Sequence, residues 1–147
     1  MRRFRLATRE DLPAILALLA DEDEVIDPAR MTVGAAYESA FESIEADPRN
    51  ELLVLDDGEV VGCLQVTYIP GLGQRGRERA LLEAVRIRAD RRGTGLGRHL
   101  MEQAIDRARD RGCGLIQLTS NKRRADAHRF YASLGFTPTH TGFKLPL

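Results

Sequence analysis

Apolar residues recur along the chain with two periods, three to four residues in some segments and two in others. The longer period is typical of helices that cover a core, and the shorter one of strands with a buried face. Helices are predicted near 12–19, 32–45, 96–108 and 127–134. Strands are predicted at 4–7, 51–55, 59–68, 81–87 and 115–119, with one or two more within 136–145.

The helix ends and helix faces follow from local signals in the sequence. Either Thr8 or Asp11 is expected to cap the first helix. Its buried stripe is predicted to be Leu12, Ile15, Leu16 and Leu19. The stripe of the second helix is predicted to be Val33, Ala36, Tyr37, Ala40, Phe41 and Ile44. The pair Asp57-Gly58 predicts a tight hairpin between the second and third strands.

The predicted order is strand, two helices, three strands, helix, strand, helix and terminal strands. A chain of 147 residues fits one domain, and no repeat or linker interrupts it. We therefore expect a single domain over 1–147 of the α/β class (α+β by some schemes). Its single sheet should be mixed and mostly antiparallel, with helices on both faces.

A glycine-rich turn, Arg92-Gly93-Thr94-Gly95-Leu96-Gly97, joins the fourth predicted strand to the longest predicted helix. We call it the glycine turn. Glycines permit positive φ angles and close approach of a ligand to the backbone. The first amides of a helix have no partner within the helix, and the helix dipole is positive there. The turn is therefore a candidate phosphate site, beside the positive charges of Arg91, Arg92 and Arg98.

Two common phosphate motifs do not fit the glycine turn. A P-loop ends in Gly-Lys-Ser/Thr, whereas Gly97 is followed by Arg98-His99. A dinucleotide fingerprint needs Gly-x-Gly-x-x-Gly, and neither starting glycine gives a third glycine at the required position. A third pattern, Arg/Gln-x-x-Gly-x-Gly/Ala, is met by Arg92, Gly95 and Gly97.

That third pattern is the pyrophosphate-binding signature of the GNAT superfamily of N-acetyltransferases, which this chain resembles. Residues 127–136 are similar to a second family signature, Ala-x-x-x-Tyr-x-x-x-Gly-Phe, with Tyr131 as its tyrosine. The order of predicted elements also matches the family, and 121–144 particularly resembles bacterial members. The resemblance implies the GNAT fold and acetyl transfer from acetyl-CoA (coenzyme A as product) to an amine.

The resemblance also implies which residues contact the cofactor. They are Ile87, Arg88, Arg92, Gly93, Thr94, Gly95, Leu96, Gly97, Arg98, Asn121, Arg124, His128 and Tyr131. In the family, a strand-end amide equivalent to that of Ile87 polarises the thioester carbonyl. Many members carry asparagine where Arg124 stands here, and Asn121 lies one helical turn earlier.

Two residues are expected to act in catalysis. Tyr131 is predicted to protonate the leaving thiolate, since a phenol can donate a proton or hydrogen bond. Glu83, in an otherwise apolar strand, is predicted to be the general base, and burial would raise its pKa toward a useful range. His128 is an alternative base, although a surface histidine is the simpler interpretation.

The composition argues against several classes of binding partner. Equal numbers of basic and acidic residues, 22 each, argue against a nucleic-acid binder. No apolar run is long enough to span a membrane. The two cysteines and three histidines have no metal-ligand spacing, so no metal is expected and both cysteines should be buried small residues. A cytoplasmic protein is expected, and a homodimer by analogy with the family.

The sequence says less about the molecule that accepts the acetyl group than about the cofactor. We expect the primary amine of a small molecule that attacks directly in a ternary complex. A protein or peptide amine, or a non-catalytic acyl-CoA sensor, are the alternatives. The acidic run 21–24 is either a solvated loop or a rim that attracts a cationic amine.

Overall fold

The computed structural model describes residues 2–20 and 23–147. The chain divides into two compact units, Met1–Gln117 and Leu118–Leu147. The single domain over 1–147 stays a prediction. Of the acidic run, residues 21 and 22 lie outside the described residues.

The larger unit contains most of the regular structure. Its strands are β1 (Arg3–Leu6), β2 (Asn50–Asp56), β3 (Val60–Ile69), β4 (Arg79–Ile87) and β5 (Leu115–Leu118), the last ending at the unit boundary. Its helices are α1 (Leu12–Ala20), α2 (Ala35–Ala46) and α3 (Leu96–Arg111). Short 3₁₀ turns lie at Arg9–Asp11, Pro28–Arg30 and Ala89–Arg91.

The described strands form one five-stranded sheet in the order β1-β2-β3-β4-β5. The pairs β1–β2, β2–β3 and β3–β4 are antiparallel, and the Asp57-Gly58 hairpin joins β2 to β3 as predicted. The Gly114 amide donates to the Glu78 carbonyl at 2.8 Å, so β5 starts beside the start of β4. Because β4 and β5 start side by side, they run parallel to each other, and the sheet is therefore mixed.

Both faces of the sheet are covered. Val54 and Cys63 are paired across β2 and β3 and pack against Ile15 and Leu18 of α1. The neighbours of Val54 in β2, Leu53 and Leu55, point to the opposite face and are also fully buried. The predicted α/β fold with helices on both faces is confirmed.

The start of α1 agrees with the predicted cap, and its stripe needs one correction. The Thr8 amide donates to the Asp11 carboxylate at 2.7 Å, and Thr8 caps the 3₁₀ turn that leads into α1. Leu19, predicted to be buried, is 40% exposed, whereas Leu18 is buried. The helix is apolar on most sides, so periodicity alone did not identify the side that meets the sheet.

Helix α2 is covered less than its sequence suggests. It starts after Gly34 rather than at Thr32, and Phe41 is its buried residue. Tyr37 is 53% exposed, and the predicted burial of Ala36 and Ala40 is also wrong. Periodicity identifies an apolar face of a helix, but it does not say whether another element lies against that face.

The smaller unit contains α4 (Ala125–Ser133), and Gly135, the glycine predicted to end this helix, follows it with a φ of 98°. The terminal strands expected within 136–145 are wrong, because the described residues 136–147 contain no strand. Phe143 is 93% exposed there. Pro138 lacks a ladder donor and Gly142 weakens an extended segment, so alternation alone does not make a strand in this segment.

Candidate functional site

The glycine turn has the backbone that its sequence predicts. Gly93 and Gly95 have φ angles of 75° and 85°, in the region that favours glycine. A Cβ added to either residue would meet no atom within 4 Å. The glycines therefore keep open space beside the backbone as well as allowing the turn itself.

Helix α3 begins at this turn. The His99 amide donates to the Gly95 carbonyl at 3.1 Å, which is the first bond of the helix. The amides of Gly95, Leu96 and Gly97 come before that bond and have no acceptor within the helix. These amides and the positive end of the helix dipole form a nest suited to a phosphate group. The residues present therefore fit the pyrophosphate of a coenzyme A thioester.

Arg92 connects the glycine turn to the end of β4. Its Nε donates to the Ile87 carbonyl at 3.2 Å. Its Nη1 lies 3.5 Å from Asp23, which belongs to the acidic run. The structure thus brings two predicted cofactor residues, Arg92 and Ile87, into direct contact.

The other basic residues differ in their surroundings. Arg88 donates to Glu59 and Asp90, and these pairs raise the pKa of its guanidinium. Arg91 donates to Asp57 at 2.6 Å. Arg98 lies 3.8 Å from Glu102, one turn along α3. The side chain of Arg88 is therefore engaged in ion pairs, which the sequence pattern did not reveal.

The amide of Ile87 faces away from β3. The Arg88 amide donates to the Val61 carbonyl at 2.8 Å, and Ile87 is paired with Gly62. Because amides alternate in direction along an antiparallel strand, the Ile87 amide points to the β5 side. The four residues of β5 begin level with Glu78 and span only about half of β4 at ~3.3 Å per residue. Strand β5 therefore stops short of Ile87.

Strand β4 contains a bulge just before this end. The pairing shifts by one residue between Cys63 and Gln65, and Ala84 has a φ of 54°. A positive φ is uncommon for a residue other than glycine, and such strain concentrates at functional sites. Glu83 precedes the bulge and is exposed, so the expected burial of this carboxylate is wrong.

Two residues that the sequence motifs do not connect with the site, Gly62 and Asp57, lie at this end of the sheet. Gly62 faces Ile87, and a Cβ at Gly62 would lie 2.8 Å from Ile87 Cδ1 and 3.2 Å from the Arg86 carbonyl. A glycine inside a strand pattern is a known signal of close approach and could have identified it. Asp57 lines a cavity of about 450 Å³ together with Arg2, Arg91, Thr94 and Leu96. Because the Asp-Gly turn already accounts for Asp57, nothing in the sequence indicated that this residue also lies at the cavity.

Neither cysteine is a candidate nucleophile, although Cys63 Sγ lies 3.5 Å from the Ala84 carbonyl in the bulge. Cys63 is buried as predicted, and burial raises the pKa of its thiol to about 12. Cys113 is only partly buried, and burial also raises its pKa. Both residues are therefore thiols rather than thiolates near neutral pH.

The smaller unit holds the remaining predicted site residues. His128 Nε2 lies 2.9 Å from the Asn121 carbonyl, and the Asn121 side chain accepts from the Arg123 amide at 3.0 Å. Arg124 is the N-cap residue that immediately precedes α4. The Tyr131 ring lies 5.3 Å from Phe130 and 6.0 Å from Phe136 between ring centroids. Asn121 and His128 are thus brought together, and the roles predicted for all four residues stay predictions.

Comparison with known proteins identifies the family. Residues 12–136 match the model of the acetyltransferase (GNAT) family. The chain belongs to the acetyltransferase (GNAT) family. The matched segment includes α1, the glycine turn and Tyr131, so the resemblance seen in the two sequence signatures is confirmed.

Two acetyltransferases are similar to this GNAT chain in sequence. The chain is 30% identical over 143 residues to an aminoalkylphosphonate N-acetyltransferase of Salmonella typhimurium, covering 95% of this chain and 88% of that protein. It is 33% identical over 103 residues to a streptothricin acetyltransferase of Streptomyces lavendulae, covering 70% of this chain. The second alignment covers 52% of the relative, so the chain spans about half of that protein.

A solved structure is similar over the full length. A protein of Bacillus halodurans C-125, described as a transcriptional regulator, has a TM-score of 0.90 and 43% identity. The alignment covers 100% of both chains. In the described part of this GNAT chain, no helix combines the length and apolar character needed to cross a membrane.

Proposed function

We propose that this chain is an N-acetyltransferase that moves the acetyl group of acetyl-CoA to a primary amine of a small molecule. Attack is direct, with both substrates bound in a ternary complex. The observation that carries the proposal is the glycine turn, where amides with no acceptor within α3 and open space lie beside Arg92 and the end of β4. Family membership makes acetyl-CoA the natural thioester for this site.

Each step is assigned to a residue of this chain. Bound acetyl-CoA supplies a thioester that an amine attacks. The Ile87 amide donates a hydrogen bond to the carbonyl oxygen as it gains negative charge. Glu83 takes the proton of the amine, acting through water where contact is not direct, and Tyr131 gives a proton to the departing sulfur.

The small-molecule acceptor is supported by two relatives. One is named for aminoalkylphosphonate and the other for streptothricin, and both names describe small molecules rather than proteins. We propose an acceptor of that class, and a cytoplasmic location as the place where acetyl-CoA is available. The acceptor must reach the reaction as the neutral amine, and an alkyl ammonium has a pKa of about 10.4. A base such as Glu83 is therefore required near neutral pH.

A regulatory function is the second candidate, because the Bacillus halodurans protein is described as a transcriptional regulator. Direct nucleic-acid binding would require basic side chains that are available to phosphates. Here Arg88 and Arg91 pair with acidic residues, and the formal net charge is zero. These observations favour the enzyme over a DNA-binding protein.

The test is a thiol-release assay with acetyl-CoA and a panel of amines that includes aminoalkylphosphonates, polyamines and peptides. We expect amine-dependent release of free coenzyme A, fastest with a small amine. Release with peptides alone would replace the small-molecule acceptor by a protein acceptor. Binding of acetyl-CoA without release for any amine would identify a sensor, and salt-dependent retention on DNA would favour the regulatory function.

A further inference from the structure

We propose that Asp57, in the turn between β2 and β3, is a positioning residue of the glycine turn and acts through Arg91. The inference rests on the proposed function, since it concerns the turn assigned to the pyrophosphate. Neither the GNAT signatures nor the spacing of the glycines assigns a role to Asp57. Its contacts, its burial and the path from Arg91 to the turn support this role.

The first step is the contact between the hairpin and the 3₁₀ turn Ala89–Arg91. Arg91 Nη1 donates to Asp57 Oδ2 at 2.6 Å. Close by, Arg88 Nη2 donates to Glu59 at 3.0 Å, and the Arg88 amide donates to the Val61 carbonyl. The hairpin therefore holds this 3₁₀ turn by two ion pairs and one backbone bond.

The second step leads from Arg91 into the glycine turn. The Arg91 amide donates to the Arg88 carbonyl at 2.9 Å, which fixes the backbone of the 3₁₀ turn. The Thr94 hydroxyl donates to the Arg91 carbonyl at 2.5 Å. Thr94 lies between the two glycines with positive φ, at the point where the amides of the nest begin. A displacement of Arg91 should therefore also displace Thr94 in the glycine turn.

The third step concerns burial. The side chain of Asp57 is 14% exposed, and its Oδ1 is buried with no hydrogen-bond partner within the described residues. Glu59, by comparison, is 61% exposed, so its pair with Arg88 is strongly screened by solvent. The Asp57–Arg91 pair is therefore less screened by solvent than the Glu59–Arg88 pair, and its loss should disturb the turn more.

A simpler explanation for Asp57 is the hairpin itself, because Asp-Gly is a common sequence in short turns between antiparallel strands. Asn-Gly suits the same turn equally well. Asp57→Asn therefore keeps the hairpin while it removes the charge that holds Arg91. If Asp57 served only the hairpin, this variant would behave as the wild type in every measurement.

The experiment compares Asp57→Asn with Glu78→Gln as a matched control. Glu78 pairs with Arg111 at the opposite end of α3, at 2.9 Å and with similar partial exposure. Two quantities are measured: amide hydrogen exchange of the segment 88–99 in the free protein, and the dissociation constant for coenzyme A. We expect faster exchange in 88–99 and about tenfold weaker binding of coenzyme A for Asp57→Asn. Glu78→Gln should leave both unchanged.

The two readouts separate this inference from the proposed function. Exchange and affinity that match the control within twofold would overturn the positioning role. If the wild type fails to bind coenzyme A while exchange in 88–99 still responds to Asp57→Asn, the anchoring contact stands and the proposed function fails. A loss of affinity that appears equally in Glu78→Gln would indicate general destabilisation and would also overturn the role.

Discussion

Arg92 links the end of β4, where the Ile87 amide lies, to the glycine turn. Its guanidinium contacts the carbonyl of Ile87, the last residue of β4, and the amide of the same residue is assigned to the thioester. Its backbone begins the turn assigned to the pyrophosphate. An arginine suits this place because its planar group can contact a carbonyl and a phosphate at once. The positions of both cofactor groups are therefore related through one side chain.

Replacement of Tyr131 by phenylalanine tests the proposed acid. Phenylalanine keeps the ring contacts with Phe130 and Phe136 but removes the hydroxyl. We expect kcat to fall about 10²-fold with little change in the dissociation constant for acetyl-CoA. Tyr37→Phe, which removes a hydroxyl from an exposed tyrosine of α2, serves as the control. Unchanged turnover in Tyr131→Phe would remove the assigned role.

Replacement of Glu83 by glutamine tests the proposed base. If Glu83 accepts the amine proton, the variant should lose about 10²-fold in kcat/KM near neutral pH. It should also lose the acidic limb of the pH–rate profile that reports ionisation of the base. Glu45→Gln changes an exposed carboxylate on α2 and should leave the profile unchanged. A Glu83→Gln profile that superimposes on the wild type contradicts the assignment.

At the residue scale, the sequence predicted backbone roles better than side-chain surroundings. The positive φ angles at Gly93 and Gly95 follow from local chemistry and were foreseen. The exposure of Glu83 and the Arg91–Asp57 pair depend on contacts between distant segments. Such contacts are set by the register of the strands and the path of the loops, which periodicity does not encode.

At the scale of elements, α3 is bounded by two glycines in the same conformation. Gly95 precedes the helix with a φ of 85°, and Gly112 follows it with a φ of 87°. A side chain at either position would strain the backbone by roughly 1–2 kcal/mol. An added Cβ meets nothing within 4 Å at either glycine, so the strain should be similar. Only the first glycine belongs to the proposed cofactor site.

Alanine substitutions at these two glycines separate stability from binding. We expect Gly95→Ala and Gly112→Ala each to lower the free energy of unfolding by about 1 kcal/mol. Only Gly95→Ala should also weaken acetyl-CoA binding, by about tenfold, because its amide and the space beside it belong to the nest. Chemical denaturation and calorimetric titration measure the two quantities. Equal affinities for the two variants would argue against the nest.

Elements with strong periodicity and clear ends were predicted well, and those that depend on a partner were not. The apolar face that periodicity predicts for α3 is Leu96, Leu100, Met101, Ala104, Ile105 and Ala108. All of these residues are buried except Ile105, which is half-buried. The prediction of terminal strands was wrong, because alternation in 136–145 specifies a strand only where a neighbouring strand supplies the backbone hydrogen bonds. The bulge in β4 was also unforeseen, since Ala84 carries none of the sequence signals of positive φ.

At the scale of the larger unit, a polar network ties α3 to the sheet. Glu51 of β2 accepts from Tyr68 of β3 at 2.6 Å and from Arg107 of α3 at 2.9 Å. The Arg111 guanidinium lies 4.0 Å from the centre of the Tyr68 ring. Burial opposes ionisation of Glu51, but the hydrogen bonds from Arg107 and Tyr68 prevail and lower its pKa below 4.5. The charged form of Glu51 therefore stabilises the fold.

The network predicts a specific pH dependence of stability. A lowered pKa in the folded state contributes stability above pH 4.5 that is lost as the pH falls through the folded-state value. We expect Glu51→Gln to lower the free energy of unfolding by about 2 kcal/mol at pH 7. The difference from the wild type should shrink below pH 4.5. Urea denaturation from pH 7 to pH 3 measures it, and a constant difference would contradict the role of this charge.

The central claim is that the glycine turn binds the pyrophosphate of acetyl-CoA, and calorimetric titration tests it directly. Coenzyme A and pantetheine are compared, because pantetheine retains the thiol arm and lacks the pyrophosphate and the phosphorylated adenosine attached to it, and Gly95→Ala then isolates the part due to the glycine turn. The account predicts that coenzyme A binds at least about tenfold more tightly, and that Gly95→Ala removes most of this difference. Equal affinities for the two compounds, or no binding of coenzyme A, would contradict the account.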